Sequence, residues 1–299
     1  MITPRYLEKG DKIALVAPAR CISFEEVHPT IKLFQKWGWE VVLGTSVFNK
    51  ANQFAGTDEQ RKDDLQQMLD DGSVKGIICA RGGYGTIRII DRLDFTNFTR
   101  NPKWIIGYSD ITVLHSHIQQ NFGIETLHAI MPFTIVSEET VNDSLETLHS
   151  ALSGRKLKYI LPKSPLTRAG TSEGTLIGGN LSILYSLMGS SSAPDTNGKI
   201  LFLEEVDEYL YHIDRMMMTL KRAGKLKNLK GLIVGSMVRM NDNKVPFGKI
   251  ANQIIAEAVE EYNYPVCFDF PAGHGANNVA LILGRNVKLT IDNDVTVIF

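Results

Sequence analysis

Three side chains stand where apolar runs end, and their types are those of acyl-transfer chemistry. Ser109 follows Lys103-Trp104-Ile105-Ile106-Gly107-Tyr108 and precedes Asp110-Ile111-Thr112-Val113-Leu114-His115, an order that predicts a strand, a sharp turn and a helix. Gly107 removes the Cβ that would crowd such a turn, and amides at the start of the helix can hold a developing oxyanion. A serine displayed in this way is a candidate nucleophile. The Ser109-Asp110 pair equally suits the plain task of capping the helix. Glu204 directly follows the run Ile200 to Leu203 and opens an acidic cluster with Glu205, Asp207 and Glu208. Most such clusters are solvated loops, but a carboxylate at the strand end can stay inside the fold and orient an imidazole. His274 lies between Gly273 and Gly275, just after Val266 to Phe270, where flanking glycines leave the ring accessible. In chain order, Ser109, Glu204 and His274 supply a nucleophile, an orienting carboxylate and a general base.

A second loop belongs to the same inventory. Arg81-Gly82-Gly83-Tyr84-Gly85 follows the run Lys75 to Cys79, and its amides can cradle an anion or an oxyanion. Its spacing is neither Gly-x-Gly-x-x-Gly nor a Walker loop, so a plain tight turn remains an equal reading. His115 and His117 fall on different helix faces, His128 ends a strand-like run, and His28, His149 and His212 form no constellation, so no metal site is expected. Ile111 stands where the Gly-x-Ser-x-Gly elbow of α/β-hydrolases has its second glycine, which sets the chain apart from those enzymes.

These residues need elements to position them. Short apolar runs alternate with helical patterns: Ile13 to Pro18 then Glu25 to Trp37, Glu40 to Leu43 then Asp58 to Leu69, and Lys75 to Cys79 then Thr86 to Leu93. Trp104 to Tyr108, a helix from near Asp110, Thr126 to Ile130 and a helix from about Val141 to Leu152 continue the rhythm. This is the pattern of a parallel α/β sheet, whose ligands sit beyond the carboxyl ends of the strands. Residues 1–155 are read as one domain and the polar, Pro-containing stretch 156–171 as a linker. Residues 172–299 are read as a second, smaller α/β domain, with strands at Thr175 to Ile177, Ile200 to Leu203, Gly231 to Gly235 and Val266 to Phe270. Its helices are Ile213 to Ala223 and Lys249 to Tyr262. Near the end, Val279 to Leu283 and Val287 to Ile291 flank Gly284-Arg285-Asn286 as a hairpin, with Val295 to Phe299 as an added edge. Gly174, Gly178 and Gly179 would permit some movement after the linker.

Composition bounds the partners. With 32 Lys and Arg against 33 Asp and Glu, interspersed, the chain has no footprint for nucleic acid or a membrane surface, and small molecules or neutral polymers are expected instead. Cys21, Cys79 and Cys267 are scattered, which fits a reducing compartment. Lys12 to Pro18 is too short and wrongly flanked for a signal peptide or a spanning helix, so a cytoplasmic location is expected.

Five motifs in order, Arg81-Gly82-Gly83-Tyr84-Gly85, Gly107-Tyr108-Ser109-Asp110, Gly178-Gly179-Asn180, Leu203-Glu204-Glu205 and Gly273-His274-Gly275, resemble the LD-carboxypeptidase family of serine peptidases over nearly the whole chain. The resemblance implies a flavodoxin-like N-terminal domain, with helices on both faces of its sheet, that carries the serine. It implies a C-terminal domain carrying glutamate and histidine, an active site in the cleft between them, and a homodimer. Carried over, Ser109 is the nucleophile, His274 the base and acid, and Glu204 the holder of its tautomer; Glu205 is a supporting or exposed neighbour. The Asp110 amide with that of Gly82 or Gly83 forms the oxyanion hole. Arg81, Tyr84 and Asn180 are candidates for substrate binding, and no cofactor or metal is implied. The substrate class is the murein stem peptide, losing its terminal D-alanine in cytoplasmic peptidoglycan recycling. A second branch of the family cleaves microcin C-type peptide-nucleotides and resembles a pattern with a lysine four residues after the glutamate and a nucleobase-stacking tryptophan. This chain has Glu208 at that spacing and no tryptophan after Trp104, which favours murein peptide. A catalytically silent muropeptide binder is the remaining alternative.

Overall fold

The computed structural model describes residues 1–139 and 142–299. Its first half follows the expected alternation: β1 (Lys12–Val16), α1 (Phe24–Lys36), β2 (Glu40–Leu43), α2 (Asp58–Asp70), β3 (Val74–Cys79), α3 (Thr96–Arg100), β4 (Trp104–Gly107), α4 (Thr112–Phe122), β5 (Thr126–His128) and α5 (Asp143–Leu152). α1 and α2 open on reciprocal caps, Ser23 with Glu26 and Thr57 with Gln60, which satisfy amides that lack a partner inside the helix. Thr86 to Leu93 differs from expectation: it forms two 3₁₀ turns, Thr86–Arg88 and Ile90–Arg92, and no side chain caps either. Val141, read as a helix start, lies outside the described residues.

β1 to β5 are parallel in the order β2-β1-β3-β4-β5, the flavodoxin-like arrangement, with its reversal between β1 and β3. Alternation along β1 sends Ile13 and Leu15 into one apolar cluster with Val27 and Phe34 of α1 and Leu148 of α5. It sends Ala14 and Val16 into another with Leu65 and Met68 of α2 and Val113 and Ile118 of α4. Helices therefore cover both faces, and the loops after β1, β3 and β4 meet at one edge.

The second half comprises β6 (Lys158–Pro162), β7 (Gly170–Asn180), α6 (Leu181–Ser186), β8 (Ile200–Val206), α7 (Leu210–Arg222), β9 (Gly231–Val238), α8 (Ala251–Ala258), β10 (Val266–Cys267), β11 (Leu281–Leu283), β12 (Asn286–Ile291) and β13 (Asp294–Ile298). Its sheet runs β10-β9-β8-β7-β12-β13-β6, parallel from β10 to β7 and antiparallel beyond. Leu201, Leu203, Leu232 and Val234 face α7 and α8, whereas Ile200, Phe202 and Ile233 join the cluster that holds α1 and α5. The two halves thus share one core.

Three local readings change. The polar stretch 156–171 contains an edge strand, β6, with Tyr159 buried and Lys158 and Ile160 in water, and an edge strand with one wet face reads as linker text. Leu281–Leu283 forms no hairpin with its successor; it pairs antiparallel with β5 and completes the first sheet, while β12 pairs with β7 and β13. Gly178 serves close approach more than hinge motion, since a Cβ there would stand 2.0 Å from the Phe202 carbonyl oxygen. Among the described residues, no helix is long and apolar enough to cross a membrane.

Candidate active site

β4 ends at Gly107, with φ 157° and no room for a Cβ, which would meet Ile111 Cγ1 at 2.9 Å. Ser109 then turns into the left-handed region at φ 63°, and a 3₁₀ turn, Ser109–Ile111, leads into α4. For a serine that conformation costs about 1–3 kcal/mol, so surrounding bonds must hold it. Asp110 supplies one: its buried carboxylate accepts the Thr86 N–H at 2.9 Å, which ties the Ser109 turn to the glycine loop. Burial pushes the Asp110 carboxyl up, against the pull of that bond. Neither Ser109 nor Asp110 caps α4 through its side chain, so the capping alternative falls.

The glycine loop lies directly beside the turn. A Cβ on Gly82 would stand 3.0 Å from Ser109 Cβ, 3.2 Å from its Oγ and 3.4 Å from the Asp110 amide nitrogen. Gly83 faces the Arg20 side chain instead. Arg61, wholly buried, donates to Pro18 O at 2.5 Å and Gly85 O at 3.0 Å, clamping the loops after β1 and β3 together. Its role escaped the sequence reading, although its i, i+4, i+7 spacing with Leu65 and Met68 marked an inward-facing cation. Arg81 is half-buried, 3.4 Å from Glu26 Oε1 and 5.3 Å above the Phe133 ring. Tyr84 is exposed, near Phe54.

The other two groups come from the second half of the chain, Glu204 from β8 and His274 from the loop after β10. Alternation along β8 points Phe202 and Glu204 toward the first half, and the register with β9 shifts between Leu203 and Glu205. Glu204 is wholly buried, and its Oε2 lies 2.7 Å from His274 Nδ1. With Nδ1–H directed at the carboxylate, Nε2 keeps its lone pair, the tautomer a general base needs. Two clamps flank His274: Gly273 N–H donates to Asn278 Oδ1 at 2.9 Å and Gly275 N–H to Ser236 Oγ at 3.0 Å. The imidazole meets the Tyr108 ring edge-on at 4.8 Å, so it packs against the residue that precedes Ser109. No hydrogen bond joins Ser109 Oγ to His274 among the described residues.

Glu205 turns the opposite way and is buried rather than exposed. It accepts from Asn180 Nδ2 at 2.8 Å, Val206 N at 2.9 Å and Ser182 N at 2.7 Å. Burial, then the neighbouring Glu204 charge, pushes its carboxyl up to about 7. Asn180 is itself 3% exposed and caps α6 through its Oδ1, so its side chain is committed inside the protein. Glu208 is bound by His212 at 2.7 Å. Among the described residues, no three His, Cys, Asp or Glu side chains converge to hold a metal ion.

This arrangement is that of an α/β peptidase of the serine type. Comparison with known proteins narrows the class. Residues 13–129 match the model of the LD-carboxypeptidase N-terminal domain, and residues 173–289 match that of the LD-carboxypeptidase C-terminal domain. The chain belongs to the LD-carboxypeptidase family and is a serine-type carboxypeptidase. It is similar to a probable murein peptide carboxypeptidase of Bacillus subtilis, 34% identical over 302 residues, covering 99% of this chain and 93% of the relative. A murein tetrapeptide carboxypeptidase of Pseudomonas aeruginosa is 30% identical over 293 residues, covering 93% and 92%. Among solved structures, a muramoyltetrapeptide carboxypeptidase from Oxalobacter formigenes superposes with a TM-score of 0.88 at 26% identity, covering 96% of this chain and 98% of that one. A microcin C7 self-immunity protein shares the fold, with a TM-score of 0.90 at 20% identity over 100% and 98% of the two chains.

Proposed function

We propose that this carboxypeptidase removes the terminal D-alanine from murein tetrapeptide, in cytoplasmic peptidoglycan recycling, through Ser109, His274 and Glu204. The observation that carries the reading is the 2.7 Å bond from His274 Nδ1 to a wholly buried Glu204, with the same imidazole packed on the residue before a strained serine. Ser109 Oγ attacks the carbonyl between the diamino acid and D-alanine while His274 Nε2 takes its proton. The oxyanion forms beside the amides of Asp110 and of Gly82, the loop glycine whose Cβ position would face Ser109. Collapse breaks the C–N bond, His274 returns the proton to the departing amine, and water activated by the same imidazole releases the acyl group. Arg81 is the candidate for the substrate's terminal carboxylate. A homodimer is part of the same reading. Position 208, four residues beyond Glu204, carries a carboxylate bound by His212 rather than a cation, which favours murein peptide over a peptide-nucleotide.

The test is release of D-alanine from L-Ala-γ-D-Glu-meso-diaminopimelate-D-Ala by the wild type and by Ser109→Ala, with melting curves for both. Release by the wild type alone at equal folding supports the reading. Equal release by both rejects Ser109 as nucleophile, and release by neither points to the peptide-nucleotide substrate or to a binder.

A further inference from the structure

Ser109 comes from the first sheet, whereas Glu204 and His274 come from the second half of the chain. Catalytic groups must be held to within about 0.5 Å of productive geometry, so the two halves need a rigid tie close to the chemistry. One buried chain of hydrogen bonds spans the gap. Glu205 Oε1 accepts from Asn180 Nδ2 at 2.8 Å, and the Asn180 backbone N–H donates to Thr112 Oγ1 at 3.0 Å. Thr112 lies in the first turn of α4, three residues after Ser109. All three residues are sealed from solvent, with relative exposures of 2% for Glu205, 3% for Asn180 and 0% for Thr112. Contact across the seam is close: a Cβ on Gly179 would stand 2.4 Å from Thr112 Oγ1.

We propose that Glu205, Asn180 and Thr112 form a positioning relay that sets the Ser109 turn against the Glu204–His274 pair. Consecutive carboxylates at one strand end then divide the work. Glu204 orients the imidazole on one face of β8, and Glu205, on the other face, anchors the strand end that grips the nucleophile helix. Glu205 is suited to this because three N–H donors converge on it and fix its direction. None of the three residues needs to touch substrate. The inference rests on the proposed roles of Ser109, Glu204 and His274.

Thr112→Val is the sharpest probe, because it nearly keeps the shape and removes the hydroxyl that accepts the Asn180 N–H. Its kcat on the tetrapeptide is expected to fall about 10- to 100-fold with KM little changed, the mark of misplaced chemistry rather than lost binding. Thr112→Ser, which keeps the hydroxyl, is expected to restore kcat. Glu205→Gln puts an amide donor against N–H groups, so it should lower kcat in the same way, and the double variant should fall no further than the worse single one. Wild-type kcat in Thr112→Val, or equal impairment in Thr112→Ser, would overturn the relay. If the wild type releases no D-alanine, the functional reading fails and amide exchange decides the relay. Exchange should then rise over residues 109–114 in Glu205→Gln and over 178–182 in Thr112→Val, and unchanged exchange would sink the idea.

Discussion

Ser109 and Glu204 each occupy a state that only their neighbours sustain, a left-handed backbone in one case and a buried carboxylate in the other. Glu204 Oε1 has no hydrogen-bond partner among the described residues, so the carboxylate is committed to His274 alone. Glu204→Gln preserves the volume but leaves the imidazole free to take the wrong tautomer and removes the charge that stabilises imidazolium. We expect kcat to fall by at least about 100-fold with KM little altered, measured by steady-state D-alanine release. Arg81 belongs to a different category. Its guanidinium sits on the Phe133 ring and, among the described residues, is bound only to the exposed Glu26, so it can exchange that partner for a substrate carboxylate. Arg81→Ala should raise KM while leaving the melting temperature and kcat near wild type; unchanged KM would remove Arg81 from the site.

At the scale of elements, the site depends on how closely the loop after β3 approaches the turn after β4. Gly82 lies outside the left-handed region, so Gly82→Ala mainly tests space: its methyl would press on Ser109 Cβ and Oγ. We expect kcat to drop more than about tenfold with a melting temperature within a few degrees of wild type. Equal turnover would show that the loop can retreat. Much of this positioning was legible beforehand. Gly107 before Ser109 announced a sharp turn, and the run Ile200 to Leu203 ending in Glu204-Glu205 carried its own orientation, because period-2 alternation sends consecutive acids to opposite faces. What stayed hidden was long-range pairing. Val279 to Leu283 is apolar at every position because it is buried on both faces beside β5, and nothing local in that run names its partner. The clamps from Asn278, Ser236 and Arg61 were hidden for the same reason, since each joins segments far apart in the chain.

For the whole molecule, buried titratable groups set opposing responses to acid. The Glu205 carboxyl is raised from 4.5 to about 7 by burial and by Glu204, so it contributes stability in full below pH 4.5 and loses it as pH rises through 7. Burial lowers the His115 imidazole from 6.5 to about 4, so its stability is present above 6.5 and lost as pH falls through 4. Each shift corresponds to on the order of 3 kcal/mol, and over the shared window the two largely offset each other. Glu205→Gln removes one side of that balance. The wild type should gain on this variant by on the order of 2–3 kcal/mol between about pH 7 and about pH 4.5, read from urea unfolding at both values. A difference that does not vary with pH would contradict this account. The placement of Leu281–Leu283 beside β5 has a consequence for biosynthesis. On the ribosome, the first sheet stays one strand short, with the β5 edge bare, until Leu281–Leu283 has emerged. A nascent or stalled product already bears Ser109 but lacks both His274 and the covering strand. In the proposed mechanism hydrolysis therefore waits until residues 274–283 have been made, and shorter chains present an open sheet edge to proteases and chaperones.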